Sequence, residues 1–95
     1  MTAEEIRRVV TFEASLTAGS PVTLCYTHQY RFFRMPAEVA RLTAEAITAR
    51  VLVDQRGRNG RILWPKGQLL TVPRYSADGS KWSAQNRVAP EGGYA

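Results

Sequence analysis

From Val22 to Phe33 apolar and polar residues alternate. Val22, Leu24, Tyr26, His28, Tyr30 and Phe32 fall on one side of an extended chain, and Thr23, Cys25, Thr27, Gln29, Arg31 and Phe33 on the other. This two-residue period predicts β-structure, as one long bent strand or as two strands turning near Thr27–Gln29. The same period recurs over Ile47, Ala49, Val51 and Val53 and predicts a strand from about 46 to 54. Two shorter apolar runs, Ile62–Trp64 and Leu69–Val72, read as strands stopped by Pro65 and Pro73.

At the N-terminus two periods compete. Thr2 with Glu5 three residues on is a capping-box pattern, and Ile6, Val9 and Val10 share a helical face, which predicts a short helical start. Val10, Phe12, Ala14 and Leu16 then alternate with Thr11, Glu13 and Ser15, which predicts a strand from about 9 to 16. Gly19 and Pro21 mark a turn. Pro36 suits the first position of a helix whose face Val39 and Leu42 would share, so a short helix is expected over 36–42. Residues 77–80 read as a hairpin turn and 81–85 as a last short strand. Five or six short strands with one brief helix inserted midway predict a mainly β fold, a small SH3-like antiparallel barrel or a strongly bent sheet. The alternative is an α+β fold, a four-stranded sheet with one helix packed on a face.

Length and composition narrow this only a little. With 95 residues, 44% of them hydrophobic, the chain has the material for one small core. We expect a single domain over 1–87 and a loose tail over 88–95. No apolar stretch approaches the roughly 20 residues that span a bilayer. The start, Met1 to Arg8, has no apolar block of the secretory kind, which sets a cytoplasmic expectation. Cys25 is the one cysteine and has no internal disulfide partner, in keeping with a reducing compartment.

Charge changes the picture more. The chain carries +5, and residues 54–87 hold seven Lys/Arg against only Asp54 and Asp78. Asn59-Gly60 is a strong signal for a two-residue turn with both central residues at positive φ. It would join strand 46–54 to a strand at 60–64, setting Arg58 opposite Arg61, Arg56 opposite Leu63 and Gln55 opposite Trp64. Arg56, Arg58 and Arg61 would then share a face, with Lys66 beside them. Like charges so placed repel, and guanidinium forks suit phosphate. The competing reading is a bare solvated turn. Arg74, Tyr75, Lys81 and Trp82 interleave cations with rings and would extend the surface as single-stranded nucleic-acid sites do.

Catalytic and metal chemistry find little support. His28, the one histidine, stands among large apolar residues and reads as packed. Cys25 and His28 point to opposite faces of a strand, and no second pair completes a zinc site. Glycine-rich phosphate loops are missing, and the carboxylates are scattered. No catalytic residue, metal or cofactor is therefore expected. A second surface is Arg31 with Phe33: of the adjacent Phe32 and Phe33, one must leave the core, and an exposed Phe33 beside Arg31 would suit a homodimer seam or a protein interface. The bland alternative covers both sheet faces, with helix 36–42 over the second. Two functions follow. The first is a non-enzymatic nucleic-acid-binding domain, single-stranded RNA or DNA favoured because no recognition helix carries the cations. The second is a protein-interaction or accessory module, self-associating, with no nucleic-acid role.

Overall fold

The N-terminal capping box forms as expected: Thr2 Oγ1 accepts the Glu5 N–H at 3.1 Å in the computed structural model, which describes residues 2–75 and 85–91. Helix α1, Ala3–Ala14, starts there with Glu4 and Glu5 in its first turn, where carboxylates complement the helix dipole. It runs straight through the stretch predicted as a strand. The buried face is Val9, Phe12, Glu13 and, just past the helix, Leu16, spaced i, i+3, i+4 and i+7. A glutamate at a core position hid that period. Glu13 is 1% exposed, and its carboxylate accepts the Tyr75 N–H at 3.2 Å. Without it the competing alternation of Val10, Phe12 and Ala14 would have carried little weight.

The strands that follow, among the described residues, are β1 (Pro21–His28), β2 (Arg31–Leu42), β3 (Ala46–Val51), β4 (Gln55–Arg56), β5 (Ile62–Trp64), β6 (Leu69–Pro73) and β7 (Arg87–Ala89). Five of them form one antiparallel sheet in the order β6-β3-β2-β1-β7, and β4 pairs with β5 apart from it. The sheet is curled into a half-barrel whose two edge strands, β6 and β7, approach each other without pairing. A register shift between Val39 and Arg41 lets β2 bend. This is the bent antiparallel sheet with one short helix that the alternation predicts, except that the helix stands at the N-terminus.

No helix forms over 36–42. Met35, Ala37 and Val39 are buried and Pro36 is exposed, so the two-residue period holds through the proline. Proline is tolerated because little is asked of its nitrogen. The β2–β3 ladder ends here, with the Leu52 N–H donating to the Pro36 carbonyl at 3.0 Å and no further strand pairing beyond. β7 takes Val88 and Ala89 from the stretch that composition reads as tail; both are buried, opposite Leu24 and Thr23 of β1. The turn predicted at 77–80 lies outside the described residues, as does the strand at 81–85 apart from Gln85, which sits in a bend.

The core fills the concave side with Leu24, Met35, Val39, Ile47, Val51, Val72 and Val88. Burying each such side chain stabilises by about 1.5–3 kcal/mol. Beyond Cys25 on β1 and Ala37 on β2 neither flanking strand continues, so the β1–β2 hairpin projects as a two-stranded arm. That arm carries the candidate site.

Candidate interaction surface

Two hairpin ends meet on the concave side. The second of them departs from expectation. β3 stops at Val51, and the strand that pairs with β5 is the two-residue β4, entered after Asp54, whose carboxylate accepts the Lys66 N–H at 2.7 Å. Gln55 lies opposite Trp64 as predicted, but a register shift sets Arg56 opposite Ile62 instead of Leu63. The tip is a three-residue loop, not a two-residue one. The Gly60 N–H donates to the Gly57 carbonyl at 3.0 Å, and the Gly57 N–H to the Arg61 carbonyl at 2.8 Å. Gly60 alone turns left-handed, at φ +79°, while Asn59 keeps a negative φ and accepts the Arg61 N–H on its side-chain oxygen at 3.0 Å.

This geometry divides the predicted cations. Arg56 folds onto its own turn, its Nη1 donating to the Gly60 carbonyl at 2.7 Å. Arg74 is a structural clip: Nη1 donates to the Thr43 carbonyl at 2.8 Å, Nη2 to the Glu13 carbonyl at 3.4 Å, and its N–H to the Glu45 carbonyl at 3.0 Å. It ties α1 to the β2–β3 turn. Tyr75 is half-buried with its N–H held by Glu13. Arg58 and Arg61 are exposed at the tip, and Lys66 is exposed at the base of the same hairpin, where its N–H bonds Asp54. Lys81 and Trp82 lie outside the described residues. Of the described residues proposed for nucleic acid, Arg58 and Arg61 stand exposed at the tip, whereas Arg56 and Arg74 are engaged with backbone carbonyls.

Trp64 joins the two ends. It is 9% exposed and receives Tyr26, His28 and Phe33 edge-on, with ring centroids at 5.4, 5.5 and 5.2 Å. Phe33 is therefore core, 5% exposed, and Phe32 is the outward ring at 47%. The expectation of an exposed Phe33 fails because the chain reverses at Gln29–Tyr30. Pairing His28 with Arg31 and Tyr26 with Phe33 swaps the parity that an unbroken strand would have kept. Arg31 stays exposed, its guanidinium 4.8 Å from the centre of the Phe33 ring.

Gln29 and Tyr30 make that reversal at φ +50° and +64°, a conformation that costs a residue with a Cβ about 1–2 kcal/mol. The Tyr30 side chain is fully exposed. On one side of it a groove is lined by His28, Arg31 and Phe33 from the arm and by Arg58, Asn59 and Leu63 from the second hairpin. A second hollow on the other side is lined by Thr27, Phe32 and Gln85. The groove's lining holds two guanidinium groups and no carboxylate. The residues that sequence reasoning missed are Tyr30 and Phe32. Their signal was available only once the turn had been placed between them and Tyr26.

Among the described residues no group of three His, Cys, Asp or Glu is placed to hold a metal ion, and Cys25 is fully buried. Nor, among the described residues, is any helix long and apolar enough to cross a membrane. No protein-family model, curated protein or solved structure matches this chain.

Proposed function

We propose that this protein is a non-enzymatic interaction module that grips an extended segment of another protein in the groove between its two hairpin ends. The observation that carries the reading is Tyr30, a fully exposed ring on a strained turn beside a groove framed by Arg31 and Arg58. Tyrosine and arginine are the residues in which binding energy concentrates at protein interfaces. Backbone strain that folding does not require, at the place where a ring is offered to solvent, fits a binding role. The SH3-like curl agrees with such a role by analogy only.

The test is selection of binders from a displayed random-peptide library, followed by titration against wild type, Tyr30→Ser and Arg58→Ala. We expect Tyr30→Ser to weaken the selected peptides by about 30-fold, as a hot-spot truncation does, and Arg58→Ala by less. Unchanged affinity in both variants would remove the groove from consideration. A second reading rests on exposed Arg58 and Arg61, a small cationic tip suited to phosphate, with exposed Lys66 at the base of the same hairpin. It requires single-stranded oligonucleotides to bind with a steep salt dependence that flattens in Arg58→Ala/Arg61→Ala.

A further inference from the structure

The projecting arm has one finished edge and one open edge. On the β1 side, β7 pairs as far as Cys25, and the Asn86 side-chain oxygen then accepts the Thr27 N–H at 2.9 Å. That edge is capped. On the β2 side, pairing with β3 begins only at Ala37, although β2 is paired with β1 from Arg31 to Glu38. The direction of the free groups follows from their neighbours. Val39 exchanges bonds with Gly19 and Ser20 on the β1 side, whereas the Pro36 carbonyl receives the Leu52 N–H on the β3 side. Backbone groups of successive residues point to opposite edges of a strand. Those of Phe32 and Arg34 therefore point as Pro36 does, toward the side that β3 has left. Among the described residues no strand pairs with them there, since β4 pairs with β5 in a separate sheet. The side chains of Arg31, Phe32 and Arg34 are exposed.

An unpaired edge is a template for another strand. Its surroundings select the occupant. Arg31 and Arg34 flank the edge, Arg31 and Arg58 line a neighbouring groove that has no carboxylate in its lining, and the whole chain carries +5. A second copy of the chain would bring the same cations to the same place. We propose that β2 takes up an extended acidic peptide as an added strand alongside Phe32–Arg34. Main-chain bonds to Phe32 and Arg34 would supply the grip, while Arg31, Arg34 and Arg58 choose carboxylate-bearing partners. This rests on the protein-interaction reading and adds to it the mode of binding and the class of partner.

The experiment uses fluorescein-labelled Glu-Val-Glu-Val-Glu-Val, its Lys-Val counterpart, and two versions of the acidic peptide N-methylated on alternate residues, one on the glutamates and one on the valines. Strand addition blocks one N-methylated version and spares the other, because only alternate N–H groups face the edge. The acidic peptide is expected to bind, the lysine peptide not to, and one N-methylated version to bind about tenfold or more weakly. Amide exchange at Phe32 and Arg34 is expected to slow when the acidic peptide is bound. Equal binding by both N-methylated versions overturns strand addition, and equal binding by the lysine peptide overturns the acidic class. In either case, sensitivity of selected peptides to Tyr30→Ser would leave the groove reading standing. No binding by the acidic peptide overturns the inference by itself. Sedimentation showing a dimer that Arg34→Pro abolishes, with Arg34→Ala unaffected and both variants folded by circular dichroism, overturns it in favour of edge-to-edge self-pairing.

Discussion

The two hairpin ends that frame the groove are built in opposite ways. The β4–β5 tip is made of residues that suit their conformations: Gly60 takes the left-handed position, Asn59 bonds the Arg61 N–H, and Arg56 caps the Gly60 carbonyl. The β1–β2 end uses Gln29 and Tyr30 where glycine or asparagine would sit without strain. One tip serves folding. The other accepts a local penalty and holds an aromatic ring in water. Turn chemistry alone explains the first and cannot explain the second, so function is sought at Tyr30 more than at the arginine-rich tip.

The strongest way to break this contrast is to remove what joins the ends. Trp64→Ala deletes the ring on which Tyr26, His28 and Phe33 converge, and is expected to destabilise the domain by about 3–5 kcal/mol in urea unfolding. Amide exchange should then rise at both hairpin ends together; a rise at one end alone would show that they are independent. A sharper cut is Gln29→Asn combined with Tyr30→Gly, which fits the turn to its own geometry. Relief of strain at both residues is expected to stabilise the fold by about 1–2 kcal/mol. Binding of selected peptides should be lost at the same time. A variant that is no more stable would mean that the turn is not strained, and retained binding would detach Tyr30 from function. The smallest effect is expected from Gly60→Ala. A Cβ there meets nothing within 4 Å, so only the positive φ is at stake, about 1 kcal/mol by thermal melting.

Much of the sheet was legible because its signal is local. Alternation placed β1 and β3, and apolar runs ended by prolines placed β5 and β6. What escaped depends on partners distant in sequence. Glu13 faces the core with its carboxylate accepting the N–H of Tyr75, 62 residues away, and no periodicity can announce a buried carboxylate. Pro36 lies in a strand because Leu52 donates to its carbonyl and no further rung follows. Phe33 and Phe32 exchange roles through the parity of a turn that carries neither glycine nor asparagine. The candidate site was half visible: Arg31 and Arg58 were named, but on separate surfaces, and only the fold of the arm over the second hairpin puts them on one groove.

Pro36 has a mechanical consequence. By ending the ladder between β2 and β3 it makes the arm a cantilever, rooted in the five-stranded sheet, capped at one flank by Asn86 and propped near its free end by Trp64. A cantilever yields most at its tip. Tyr30 stands there, so motion of the arm against Trp64 would alter the width of the groove between the two ends.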